Sequence, residues 1–245
     1  HRNIGDSMIS RSGWQAKAPR WTTRHRTPVN TVYIHHGGTH LSGHTQKDEA
    51  SALQAYQRYH LRKGWADIAY SFAVGPQSGR VYELRGWNAR PGATKGHNAD
   101  SYSIVIIGNT STQRVSEECV DSVRRLIEIG QRAGKITQKV QVLGHRDVKS
   151  TACPGDSAYE RLKDMAPGAT PKTTVSKAPT YRRMLRLRRP RMRGNVVKWV
   201  QSIVGANPDG VYGPKTKALV QKWQRSKGLV ADGIVGPKTY RFLSR

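Results

Sequence analysis

The pattern Asp-Gly-x-x-Gly-Pro-Lys-Thr occurs twice near the end of the chain, at Asp209–Thr216 and at Asp232–Thr239, offset by 23 residues. Each copy carries its own local instructions. Asp-Gly makes a tight turn, the second glycine caps, and proline opens a helix at its first position. Val197, Val200 and Val204, then Leu219 and Trp223, then Tyr240 and Leu243 recur at helical spacing and supply inward faces. These features predict three short helices and a small all-α bundle over 182–245. In such a bundle Trp199 and Trp223 suit the core better than a sugar-stacking face.

A semi-stiff linker, Pro-Gly-Ala-Thr-Pro-Lys-Thr-Thr-Val-Ser-Lys-Ala-Pro-Thr-Tyr, precedes the repeat and is assigned to 167–181. Arg182 to Arg193 then packs seven arginines into twelve residues, either as a polyanion-binding tail or as the solvated edge of the bundle. The net charge of +26 is unevenly spread: residues 1–166 hold 24 basic and 14 acidic side chains, residues 167–245 hold 18 and 2. Such a charge implies a polyanionic partner, of which nucleic acid, anionic lipid and an acidic cell-wall polymer are the candidates. The chain has no apolar run of eighteen residues to span a membrane, and its first residues have no signal-like apolar stretch.

Residues 1–166 read differently. Thr31 to Ile34 are β-branched or aromatic and predict a strand; Thr45-Gln46-Lys47-Asp48 caps a helix over roughly 46 to 63. Ala69 to Val74 and Arg80 to Leu84 flank Pro76-Gln77-Ser78-Gly79 as a hairpin. Ser103 to Ile107 predicts a buried central strand, residues 116 to 132 an amphipathic helix, Val140 to Leu143 a short buried strand, and a last helix starts near Ser157. The fold class is therefore α/β, a mixed central sheet flanked by helices, with the all-α bundle behind it.

Within this first region His145 falls where a strand ends, and Cys153 lies eight residues on, in a loop closed by Pro154-Gly155. Far upstream His35 and His36 also end a strand, and because side chains alternate only one of them faces a given ion. Two imidazoles and a thiolate suit Zn²⁺ and leave its fourth position to water, the arrangement of a catalytic zinc. Cys119, at a helical core position, is expected to pack rather than react, which leaves Cys153 free.

From Ile9 to about Ala166 the chain resembles the zinc amidases that include phage-type N-acetylmuramoyl-L-alanine amidases and the peptidoglycan recognition proteins. The resemblance rests on Ile9-Ser10-Arg11-Ser12-Gly13-Trp14, Ile34-His35-His36, Gly64-Trp65-Ala66-Asp67-Ile68-Ala69-Tyr70-Ser71-Phe72, Val81-Tyr82-Glu83-Leu84-Arg85-Gly86-Trp87 and Gly144 to Gly155. The doubled repeat resembles the peptidoglycan-binding domain found beside many wall hydrolases. The resemblance implies His35, His145 and Cys153 as zinc ligands, Tyr70 as the tyrosine that contacts the zinc water, and Thr151 as an oxyanion-side hydroxyl where phage-type members often have Lys. It places His97 and Asn98 on a muropeptide groove, although Gly96 to Asp100 departs from the usual pattern.

The implied reaction is hydrolysis of the amide between N-acetylmuramic acid and L-alanine of bacterial peptidoglycan by zinc-activated water. It would occur at the cell wall, reached by secretion or by release from an infected cell. A monomer is expected, held to peptidoglycan and drawn to anionic wall polymers by its basic third, without specific nucleic-acid binding. Three alternatives compete: a recognition protein that binds without cutting, a cysteine hydrolase using Cys153 and His145, and a nucleic-acid binder. The first should have lost the cysteine ligand, the second leaves His35 and Tyr70 idle, and the third lacks a known nucleic-acid module.

Overall fold

The computed structural model describes residues 8–169 and 183–244. The chain divides into two compact units, His1–Lys172 and Thr173–Arg245. Most of the linker assigned to 167–181 lies outside the described residues.

The first unit is built on strands β1 (Val29–His36), β2 (Phe72–Val74), β3 (Val81–Glu83), β4 (Ser101–Ile106) and β5 (Ile136–Gly144), in the order β3-β2-β4-β1-β5. Strand β1 runs parallel to β4 and β5, β2 runs parallel to β4, and only the β2–β3 hairpin is antiparallel. The sheet is thus mixed, as expected. Its centre is β4, covered on both faces and buried at every position, Ser101 and Ser103 included, with its apolar run confined to Ile104–Ile106.

Helices α1 (Gln46–Arg62) and α2 (Glu117–Arg132) frame the sheet. Thr45 and Asp48 form a reciprocal capping box on α1, and the Ser116 hydroxyl accepts from the Cys119 amide at the start of α2. Val32, Ile34, Phe72, Ile104 and Ile106 pack with Val123, Leu126 and Ile127 of α2. Alternation sends the other set, including Ala73 and Val105, to Leu53 of α1 and to Trp14, Tyr82 and Leu84. Cys119 is fully buried in the first of these clusters, as its helical position predicted.

Three expectations need correction. Val140 to Leu143 does not form a short buried strand: β5 spans nine residues at the sheet edge, where Val140 and Val142 pack inward and Gln141 faces solvent. The predicted strand from Ala69 starts only at Phe72, because residues 67–71 form a loop clamped by side chains. The last helix is two short turns, α3 (Asp156–Tyr159) and α4 (Leu162–Met165). They part at Arg161, whose guanidinium forks onto Glu117 at 2.8 and 2.7 Å and also meets Asp164.

The second unit contains the three predicted helices, α5 (Asn195–Val204), α6 (Pro214–Ser226) and α7 (Pro237–Leu243). Pro214 and Pro237 stand at the helix starts after Gly213 and Gly236, and Gly210 and Gly233 adopt positive φ of 75° and 71° in their turns. One glutamine per repeat locks each copy. Gln201 Nε2 donates to Asp209 Oδ1 at 2.8 Å and Thr216 Oγ1 at 3.0 Å, and its Oε1 accepts from the Gly210 amide at 2.8 Å. Gln224 repeats this on Asp232, Thr239 and Gly233 at 3.1, 3.1 and 2.9 Å.

Trp199 is buried against Tyr240, so it belongs to the core, while Trp223 is half-buried beside Lys227. The arginine-rich stretch is the bundle's edge rather than a loose tail. Leu185 and Met192 are buried anchors, and backbone hydrogen bonds tie Leu185 to Val235, Met192 to Tyr212 and Gly194 to Gly210.

Candidate metal centre

Strand register assembles the site. Ile34 of β1 pairs with Gly144, the last residue of β5, so His35 and His145, the residues that follow them, come side by side with ring centroids 4.7 Å apart. His35 is 1% exposed, on the sheet face opposite Val32 and Ile34. His145 enters a single 3₁₀ turn fixed by Asp147, whose carboxylate accepts from the Gly144 amide at 2.8 Å and from the Tyr159 hydroxyl at 2.7 Å.

The loop to Cys153 is pinned from two directions. Arg146 bonds Asp156 at 2.7 Å and the Ala152 carbonyl at 2.5 Å, and stacks over Tyr159. On the other side the His36 Nδ1 accepts from the Thr110 amide at 3.2 Å, and the Thr110 hydroxyl donates to the Pro154 carbonyl. His36 therefore points away from the cluster and holds the cysteine loop through Thr110. Gly155 follows with φ of 81°, and a Cβ there would lie 2.4 Å from backbone atoms of Thr110 and Ser111, so glycine is required.

These elements bring His35, His145 and Cys153 together, with donor atoms all within 4.8 Å of one another. His35 Nδ1 stands 3.6 Å from Cys153 Sγ. A nitrogen and a sulfur bound tetrahedrally to one Zn²⁺ at their usual distances are about 3.6 Å apart, so this donor pair fits such an ion. Burial, then the charge of His145, then that of His36, hold His35 well below the usual imidazole range, and burial followed by Lys149 lowers His145. Both rings stay neutral near pH 7, the form that ligates. Burial pushes the Cys153 thiol up to about 11, the reverse of what an activated cysteine nucleophile needs without a cation beside it.

Tyr70 lies on the same side, its ring 5.4 Å from that of His35. It is carried by a braced loop. Asp67 accepts from the Ile68 amide and from Gln57 and pairs with Arg11 at 2.8 Å, while Arg85 Nε donates to the Ile68 carbonyl at 2.6 Å. The Ala69 amide donates to His60 Nδ1 at 3.2 Å. Burial, then the nearby Cys153 and Tyr56, raise the Tyr70 phenol, so it keeps its proton. Thr151 Oγ1 accepts from the Cys153 amide at 3.2 Å. His97 meets Tyr33 edge-on at 5.6 Å, and Asn98 Oδ1 is occupied by the Thr94 amide at 2.9 Å.

Two threonines that sequence reasoning missed stand behind this cluster, Thr94 and Thr110, at 1% and 0% exposure. Thr94 Oγ1 is 3.1 Å from His35 Nε2. In the sequence both are ordinary loop hydroxyls, and no local pattern marks them.

A sequence profile of the family described as N-acetylmuramoyl-L-alanine amidase matches residues 25–156. The chain belongs to this amidase family. A second profile, for a peptidoglycan-binding domain, matches residues 195–243. Among relatives, peptidoglycan-recognition protein LB of Drosophila melanogaster is 32% identical over 166 residues, covering 65% of this chain and 71% of its own. The N-acetylmuramoyl-L-alanine amidase of Sus scrofa is 36% identical over 143 residues, 56% of this chain but only 23% of that longer protein.

Among solved structures, Drosophila PGRP-LB superposes with a TM-score of 0.61 at 31% identity, covering 64% of this chain and 92% of its own. Peptidoglycan recognition protein LE, solved in complex with tracheal cytotoxin, a monomeric diaminopimelic acid-type peptidoglycan, gives 0.62 at 30%, covering 64% and 93%. The amidase-family fold thus lies in the first unit and the wall-binding profile on the second. No helix among the described residues is long and apolar enough to cross a membrane.

Proposed function

We propose that the chain hydrolyses the amide joining N-acetylmuramic acid to L-alanine in bacterial peptidoglycan, using zinc held by His35, His145 and Cys153. The observation that carries this reading is the convergence of those three donors beside Tyr70, from three separated segments of an amidase-family fold. Bound zinc would supply a Lewis acid that acidifies water and polarises the scissile carbonyl.

The chain's own residues do the rest. Neutral His35 and His145 offer lone pairs without displacing protons. The protonated Tyr70 phenol donates a hydrogen bond to the oxygen that becomes negative as the carbonyl carbon turns tetrahedral. Thr151 takes the Cys153 amide with an oxygen lone pair, which leaves its hydroxyl proton available to donate to the same developing oxyanion. His97, edge-on to Tyr33, and Asn98 in the same turn would contact the stem peptide. The C–N bond breaks as the nitrogen takes up the proton that the attacking water gives up, so the stem peptide departs with the free amine of L-alanine and the muramyl side keeps the new carboxylate.

The second unit would hold the enzyme on its immobile substrate and raise local concentration. Its cations favour anionic wall polymers: residues 183–244 carry 14 Lys and Arg against two Asp, and among the described residues none of these cations is in an ion pair. The second reading, recognition without cleavage, is favoured by the recognition-protein names of several relatives. Stem-peptide release from purified peptidoglycan separates the two. Release by the native chain, abolished by a zinc chelator, restored by Zn²⁺ and absent in Cys153→Ser, is the expected result. Binding without release in every sample would leave the recognition reading standing, and chelator-indifferent release that vanishes in Cys153→Ser would restore the cysteine hydrolase.

A further inference from the structure

The geometry points to Thr94 as the residue that sets the tautomer and rotation of His35, a positioning role that rests on the zinc reading above. The His35 ring has two nitrogens with different duties. Nδ1 faces Cys153 Sγ at 3.6 Å, so it is the atom turned toward the cluster. Nε2, on the far side of the ring, faces Thr94 Oγ1 at 3.1 Å. A neutral imidazole carries one proton, and the bond made by one nitrogen decides what the other presents. When Nε2–H donates to the threonine oxygen, Nδ1 shows its lone pair to the cluster. In the other tautomer Nδ1 would carry hydrogen where a ligand atom is needed.

Thr94 can hold the ring because its backbone is itself fixed; its hydroxyl is able to accept from Nε2–H or donate to a bare Nε2, and the accepting arrangement is the one that turns the Nδ1 lone pair to the cluster. Thr94 is 1% exposed, its amide donates to Asn98 Oδ1 at 2.9 Å, and its carbonyl accepts from the His97 amide at 2.9 Å. The His97 carbonyl accepts from the Ser101 hydroxyl at 2.7 Å, and Ser101 is the first residue of β4, paired with Thr31 of β1. The hydroxyl is therefore anchored through a tight turn to the sheet that carries His35. The turn that carries His97 and Asn98 thus also holds His35 from behind. Outer hydrogen bonds of this kind typically change metal affinity by about 10–100-fold.

The test uses the full chain, with Zn²⁺ affinity read by competition against a chromophoric chelator. Thr94→Val keeps shape and removes the oxygen; Thr94→Ser keeps the oxygen. The expected result is a loss of about 10–100-fold for Thr94→Val, and recovery to within about threefold for Thr94→Ser. A Thr94→Val chain that melts like the native one and binds Zn²⁺ within twofold of it would overturn the proposal.

A second measurement stands apart from any variant. Long-range ¹⁵N–¹H NMR of the zinc-free native chain should show His35 protonated at Nε2, and predominance of the Nδ1–H form would also overturn it. A native chain that fails to bind Zn²⁺ at all would remove the proposed function, while the NMR result still decides Thr94.

Discussion

The two units solve the problem of holding polar groups in opposite ways. In the second, each stabilising constellation is local: Gln201 and Gln224 each bond groups eight to fifteen residues ahead, and the same arrangement is used twice. In the first, the candidate site is non-local: His35 meets Cys153 across 118 residues and Thr94 across 59. Charge follows the same division. Every ion pair among the described residues falls in the first unit, whereas in the second the two aspartates, Asp209 and Asp232, turn to glutamine amides and leave the cations to solvent. In the first unit five arginines, Arg11, Arg80, Arg124, Arg146 and Arg161, are engaged by carboxylates; in the second no described cation is.

The sharpest way to separate the units is Tyr70→Phe. Loss of one oxyanion-side donor costs about 3–4 kcal/mol of barrier, so kcat should fall about 10²–10³-fold. Zinc stoichiometry and wall binding should not change; a Phe variant with native kcat would remove Tyr70 from the mechanism.

Next in size is the glutamine lock. Gln224→Ala leaves the Gly233 amide and the Asp232 side chain short of partners and should cost the second unit about 2–3 kcal/mol. Gln201→Ala should cost the same within about 1 kcal/mol if the repeats are energetically equivalent. Two-transition calorimetry reads this directly, and a shift in the first unit's melting would break the separation.

A pH effect of about 2 kcal/mol should appear in the first unit alone. Burial, helped by Arg85 and Lys63, pushes buried His60 down to about 4 from 6.5. The folded state thus takes its proton later than the unfolded state as pH falls. Stability is full above pH 6.5 and is lost as pH drops from there toward 4. Protonation also removes the acceptor for the Ala69 amide next to Tyr70. His60→Asn keeps an acceptor and does not titrate, so its melting temperature should fall less between pH 7 and 4.5. Parallel curves for the two chains would refute this account.

The smallest effect is the most direct test of the division itself. Removing residues 167–245 should lower lysis of intact walls about tenfold through lost local concentration, and leave cleavage of a soluble muropeptide within about twofold. An equal loss on both substrates would mean the units do not act separately.

Much of this was legible beforehand for physical reasons. The turn and helix-opening residues of the repeat act on their own neighbours, so Pro214 and Pro237 begin helices wherever the bundle sits. The β-branched runs and caps of the first unit act over the same short range, which is why β4, α1 and α2 lie where expected. His35, His145, Cys153 and Tyr70 came to notice through their motifs, and the fold brings them together. The apolar run of β5 does not reveal its half-exposed state, because an edge position, not composition, decides how much of a strand is covered.

By itself the sequence determined the local elements, the break between the units, the excess of positive charge at one end and the residue types available for a metal. Only the tertiary structure decided which neighbours those residues have. The Ile34–Gly144 register sets His35 beside His145, and packing places Thr94 behind His35 and Thr110 behind the loop of Cys153. The physical reason is range. Propensity and capping are settled within a few residues along the chain, whereas a hydrogen bond to a buried threonine exists only after distant strands have paired.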